Sequence, residues 1–421
     1  MKSVISYMLI LIVSVIGIEI IAQLWVYSTQ DIFILNRNIS LNEKSELPND
    51  TRQKLSPIFG YTLRPDWKAS DYVVELDDVL DNIGENSLPD YWSIPANNYG
   101  FLSRYDYPYI SQNTNAFYVL ILGGSVANGL ALISEQDIAN AINMTPGFDK
   151  KEVVLINLTM GGFKQPQNTQ ALSYFLAIGQ PADLIINMDG LNEAHIGWSN
   201  AISGDIEHTL PYYVFMYGLL NNFVSKEKLE SNKYISNIFK QTRSGIIYLY
   251  AKILLERDRK IITKLENEIS KAVDGRQYPM VLQTNTKLDI DSLSDDIADT
   301  WARGSIAVKG LAEAFGAKYI HAIQPNQYYS KKVFLPEEAS IAFSDPEWEG
   351  ANIVKKTYDK FIGKINYLER KGVAFVNLVP AFDGTTERLY FDTCCHFIRK
   401  GYEIIMQDYL SDEIKNILLE K

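Results

Sequence analysis

The sequence predicts an α/β fold: a five-stranded parallel sheet covered by helices on both faces, in the manner of a flavodoxin-like three-layer α/β/α sandwich. Three observations carry this. Five short apolar runs recur, at 117–123, 152–158, 183–189, 317–324 and 372–379. Stretches of helical periodicity separate them, which is the alternation expected of strand–helix–strand units. The runs are also continuously apolar, as in Phe117-Tyr118-Val119-Leu120-Ile121-Leu122, rather than alternating, and that is how strands buried on both faces read.

The chain of 421 residues can bury a full core, and 47% hydrophobic with 22% charged residues is ordinary for a globular protein. A net charge of -11 argues against a nucleic-acid partner, because phosphate binding needs a basic face. The two cysteines, Cys394 and Cys395, are adjacent and supply no disulfide framework. Both are expected to pack as small apolar residues in their loop.

Taken in order, the chain begins with an almost wholly apolar stretch from Ser3 to Tyr27. At about 1.5 Å per residue it is long enough to cross a hydrocarbon layer of roughly 30 Å. Lys2 precedes it, and Trp25 and Tyr27 fall where interfacial aromatics sit. Glu19 and Gln23 interrupt it, so the carboxylate is expected to reach the interface or stay protonated. Residues 1–27 are therefore expected to form an uncleaved transmembrane anchor, single-pass, with the remainder of the chain extracytoplasmic. A cleaved signal peptide is the alternative, but its apolar region usually runs only about 7 to 15 residues.

Residues 28–115 lack regular periodicity and are expected to form an irregular segment packed on the main domain, with Asp71–Asp90 as an acidic, solvated excursion. The main domain then runs over 116–421, with a helical insertion at about 200–300 between the third and fourth strands. Within it, Tyr212–Phe223 is apolar and aromatic and Ile246–Ala272 is amphipathic, which fits either side packing or a cap or second membrane contact.

The chemistry is concentrated where strands end. Gly123-Gly124-Ser125 closes the first run and places a hydroxyl at the turn from strand into helix. The glycines permit a tight turn, and the free N–H groups of the helix start can hold an oxyanion. A serine capping the helix is the plain structural alternative. After the second run comes Asn157-Leu158-Thr159-Met160-Gly161-Gly162-Phe163, and after the third Asp189-Gly190-Leu191-Asn192-Glu193. Near the C-terminus, Asp392-Thr393-Cys394-Cys395-His396 precedes Gly401 and a helical stretch.

These four blocks, in this order, resemble those of the SGNH (GDSL-type) hydrolase superfamily, over roughly residues 117 to 410. The resemblance implies a Ser-His-Asp arrangement: Ser125 as nucleophile, His396 as its general base, and an acid upstream to orient the imidazole. It implies an oxyanion hole from the Ser125 and Gly162 backbone N–H groups and the Asn192 side-chain amide. Gly161 competes with Gly162 for the second block, and the following Phe163-Lys164-Gln165-Pro166-Gln167 favours Gly162. The family's acid usually stands three residues before the histidine, where this chain has Thr393; Asp392 stands four before. Either the loop accommodates the extra residue, or a backbone carbonyl orients His396 in a dyad.

The expected activity is cleavage or transfer of an ester-linked acyl group, esterase- or deacetylase-like, on an acylated small molecule, glycan or lipid ester. Gln324, after the fourth run, is a candidate substrate contact or a polar turn lining. The alternatives are a polysaccharide O-acetyltransferase accessory protein and a catalytically silent envelope-binding protein. No cofactor is implied. No metal is expected either, since His195, His208, His321 and His396 show no ligand spacing, and His321 lies inside the fourth run as a structural residue.

Overall fold

The structure is a computed structural model that describes residues 2–30, 33–36, 53–68, 94–202, 206–216, 219, 235, 238–274, 289–343 and 350–420. The acidic stretch 71–90, and 217–223 apart from Leu219, lie outside the described residues. The chain divides into two compact units, Met1–Thr51 with Tyr217–Met280, and Arg52–Met216 with Val281–Lys421.

The strands are β1 (Gln53–Ser56), β2 (Gly60–Leu63), β3 (Ala116–Gly123), β4 (Glu152–Asn157), β5 (Leu184–Asp189), β6 (Lys318–Ile323) and β7 (Ala374–Asn377). The helices are α1 (Lys2–Gln30), α2 (Ser125–Ile133), α3 (Glu135–Asn143), α4 (Gln167–Ala177), α5 (Leu191–Ile202), α6 (Gly245–Asp274), α7 (Ile290–Ala314), α8 (Pro336–Ala342), α9 (Gly350–Arg370), α10 (Arg399–Ile405) and α11 (Ser411–Leu419).

In the larger unit, β3 to β7 form one parallel sheet in the order β4-β3-β5-β6-β7. The five apolar runs of the sequence are its five strands, with ends differing by a residue or two. All of β3 from Phe117 onward, and all of β5, is buried, because helices cover both faces. One layer packs α4, α5, α7 and α9 together; α2, α3, α10 and α11 make the other. The strand order reverses at β3, so a crevice opens beyond the carboxyl ends of β3 and β5, the place where open α/β sheets bind ligands. Before the sheet, β1 and β2 form an antiparallel hairpin within the stretch the sequence presents as irregular.

The smaller unit contains α1, whose segment Ile5–Thr29 is long and apolar enough to cross a membrane. Its two polar interruptions have partners. Glu19 accepts hydrogen bonds from Ser244 Oγ at 2.7 Å and from the Gly245 and Ile246 N–H groups at 2.5 and 3.3 Å, so it caps the start of α6. Gln23 donates to the Arg243 carbonyl at 2.9 Å. Beside them, Val26, Ile34 and Tyr248 form a small buried cluster. Instead of escaping to an interface, Glu19 is consumed by unpaired N–H groups that a helix start leaves.

Candidate active site

Three strands deliver the first three blocks to one edge of the sheet. Ser125 opens α2 directly behind β3. At the intervening turn, Gly123 has φ +136, and a Cβ at Gly124 would lie 2.0 Å from Asn192 Nδ2. Glycine at 124 is thus what lets the Asn192 amide sit against the backbone beside Ser125. Behind β4 the chain turns at Met160–Phe163, closed by the Phe163 N–H on the Met160 carbonyl at 2.9 Å. Gly162 in that turn has φ +81, and a Cβ there would meet Tyr61 Oη at 2.6 Å. Behind β5, Asn192 is the second residue of α5, and its Nδ2 donates to the Phe163 carbonyl at 2.8 Å. One bond of the amide therefore locks two blocks together, and its second N–H remains for a ligand.

The fourth block is a loop closed by the Tyr390–Phe397 bridge and by the Ile398 N–H on the Leu389 carbonyl at 2.8 Å. Inside it the chain winds around the Asp392 carboxylate. Oδ1 accepts the backbone N–H groups of Cys394 and Cys395, each at 3.0 Å, and of His396 at 3.1 Å. Oδ2 is left to hydrogen-bond His396 Nδ1. The other ring nitrogen, Nε2, lies 2.6 Å from Ser125 Oγ. The four-residue spacing is accommodated because a carboxylate that gathers three successive N–H groups forms a tight turn, bringing the imidazole back onto its other oxygen.

The electrostatics follow from this geometry. Burial by itself would lower the His396 pKa, but the Asp392 hydrogen bond and charge, with a smaller part from Cys394, raise it to about 9. Burial would raise Asp392, yet the His396 hydrogen bond and charge, with the loop N–H groups, hold it below the usual carboxylate range. Each group stabilises the charged form of the other.

Further residues brace these turns. Tyr61, fully buried in the β1–β2 hairpin, donates to the Gly161 carbonyl at 3.1 Å and so braces the Gly162 turn. Glu193 accepts the Gln165 N–H at 2.9 Å and the Gly190 N–H at 2.8 Å, tying the second block to the third; burial, then the nearby Asp189, push its pKa up. Asp189 in turn accepts from Trp301 Nε1 at 2.6 Å and pairs with His321 Nε2 at 2.9 Å, which gives His321 a structural partner deep in the sheet. Glu193 follows Asn192 directly, so its proximity is visible in the sequence; Tyr61 lies about a hundred residues from its partner, and the stretch 59–65 around it gives no sign of that contact.

A buried ion pair supports the histidine loop. Lys332 Nζ lies 2.6 Å from Glu338 Oε2, both side chains all but inaccessible, while Glu338 Oε1 accepts the N–H groups of Leu389 and Tyr390 at 2.8 and 2.9 Å. Glu338→Ala strands a buried ammonium and two buried N–H groups. It is expected to cost about 3 to 5 kcal/mol in denaturant melts of the full chain. Glu338→Gln, which keeps the acceptor for the loop, is expected to recover part of that loss; equal losses for the two variants would show that the loop contacts contribute nothing.

Gln324 is 3% exposed, its side chain against the buried Cys395 beneath the loop. His208 Nε2 pairs with Asp296 at 2.9 Å, and His195 stacks on Trp198. Cys395 is buried, as expected, but Cys394 is exposed. Among the described residues, Cys394, Cys395 and His396 bring three possible metal-ligand atoms within 4.8 Å of one another. Both His396 nitrogens are already engaged by Asp392 and Ser125, so that trio is a poor metal site.

No protein-family model and no curated protein matches the chain. Among solved structures it is similar to an acetyl xylan esterase, AlAXEase, at 11% identity, covering 72% of this chain and 100% of that one with a TM-score of 0.34. It is also similar to a mutant of Axe2, an acetyl-xylooligosaccharide esterase from Geobacillus Stearmophilus, at 10% identity, covering 72% and 95% with a TM-score of 0.36.

Proposed function

We propose that the chain is a membrane-anchored serine hydrolase of SGNH type that cleaves or transfers an ester-linked acyl group. The observation that carries this reading is the hydrogen-bonded line from Ser125 Oγ through His396 to Asp392 at the carboxyl edge of the sheet. A serine hydroxyl needs such a base, and an acid behind the imidazole selects the tautomer and favours the charged form that arises when the proton is taken.

In this reading His396 Nε2 accepts the Ser125 proton as Oγ attacks the acyl carbonyl, and later returns it to the departing alcohol. The Ser125 and Gly162 N–H groups and the free Asn192 N–H bind the oxyanion, the first being unpaired in its helix turn. The acyl group is carried by a glycan or lipid ester at the membrane. Helix α1 anchors the chain, with Lys2 on the cytoplasmic side.

The test is covalent labelling of the full chain in detergent micelles with a fluorophosphonate. The wild type is expected to label and Ser125→Ala to stay unlabelled with an unchanged circular dichroism spectrum. A folded wild type that does not label, or equal labelling of Ser125→Ala, overturns the reading.

A further inference from the structure

We propose that Cys394 and Cys395 are a reversible thiol–disulfide modification site whose closure disables the Asp392–His396 pair. The effect on activity rests on the serine-hydrolase reading; the modification itself rests on the thiols alone.

The two Sγ atoms lie 3.2 Å apart in the turn between Asp392 and His396. The pair is asymmetric. Cys394 is exposed, and the hydrogen bond from Cys395, with the charge of His396, lowers its pKa despite burial of the thiol. Cys395 is buried, and burial raises its thiol well above the usual range. A thiol that ionises readily on an exposed residue, beside a more deeply buried one, is the arrangement of an attacking and a resolving cysteine.

With a small disulfide as oxidant, the chemistry balances in two exchanges. The Cys394 thiolate attacks one sulfur of the oxidant, forming a mixed disulfide and expelling the first small thiolate. Cys395 then gives its proton to solvent and attacks Cys394 Sγ, expelling the second. The protein loses two electrons and two protons; the oxidant becomes two thiols.

Closure has a structural consequence because of what the intervening peptide does. The Cys394 and Cys395 N–H groups both donate to Asp392 Oδ1. Neighbouring Cα atoms stand about 3.8 Å apart, short of the roughly 4.4 Å at which ordinary disulfides begin, so drawing the sulfurs to about 2.05 Å twists the peptide between them. That twist removes N–H groups from Oδ1, and with them the turn that holds Oδ2 on His396. A bridge strained in this way is readily reduced, so the change reverses.

The experiment equilibrates the full chain in detergent with oxidised or reduced glutathione. Alkylation and peptide mass mapping read the thiols, and fluorophosphonate labelling reads Ser125. Expected is a peptide lacking two hydrogens across Cys394–Cys395, with labelling slowed about 10²-fold and restored by dithiothreitol. Cys394→Ala is expected to label at one rate in both conditions, while Cys395→Ala is expected to stop at a glutathione adduct on Cys394 and never to show the loss of two hydrogens. A pair that stays reduced or carries only glutathione adducts overturns the site. A bridge that forms without slowing the label overturns the gating. If the reduced wild type does not label at all, the hydrolase reading fails and the gating falls with it, while the mass map separately decides the modification.

Discussion

His396→Ala is expected to lower kcat/KM for an activated acetyl ester by about 10³- to 10⁶-fold, the range for removing the base of a serine nucleophile. Nε2 stands 2.6 Å from Ser125 Oγ, within hydrogen-bond reach of that hydroxyl. Without it the serine must lose its proton to water during attack. The ring contacts the nucleophile, so the loss should fall on kcat with KM little changed. Ser125→Ala with His396→Ala together should cost scarcely more than either alone, because the two act as one unit. Hydrolysis of p-nitrophenyl acetate, followed for all three variants, reads this. A loss under tenfold for His396→Ala, or additive losses in the double variant, would remove His396 from the reaction.

Asp392→Asn is the second large effect, an expected fall of about 10²- to 10⁴-fold in kcat. It is a clean change, because an asparagine oxygen can still accept the N–H groups of Cys394, Cys395 and His396 that shape the turn. What changes is the group facing Nδ1. An amide N–H there donates where the carboxylate accepted, which moves the imidazole proton to Nε2 and blocks acceptance from Ser125.

The pH profile gives the same residue a signed test. In the wild type His396 holds its proton up to about 9, so the neutral base accumulates, and the rate climbs, as pH rises through that value. Removing the Asp392 charge leaves burial as the dominant influence on the ring, and burial disfavours imidazolium. The midpoint of the residual activity should therefore move to lower pH. A profile with an unmoved midpoint would mean that Asp392 is not what raises His396.

The legibility of the chain differed by the range of the contacts involved. The strands were readable because each is a contiguous run buried on both faces, and burial of β3 and β5 leaves nothing polar to interrupt the pattern. Ser125, Gly162 and Asn192 were nameable for a related reason: each follows a strand within a few residues, so finding the strand end finds the residue. The apolar run of α1 was equally plain, although the fate of Glu19 was not, since its partners Ser244 and Gly245 stand more than two hundred residues on. Tyr61 bracing Gly161, and Glu338 bonding the Leu389 and Tyr390 N–H groups, were invisible for the same reason.

Asp392 marks the division most sharply. Periodicity and turn chemistry are local, so the parallel α/β architecture, the apolar N-terminal helix and the residue types at the strand ends can be read from the sequence. It left open whether an aspartate four residues before a histidine can reach it. That depended on how the loop winds, and the winding is set by three backbone N–H groups converging on one carboxylate oxygen. The same holds for His396 facing Ser125 across 271 residues of chain: packing a sheet and its helices brings distant segments together, and no local pattern encodes their meeting.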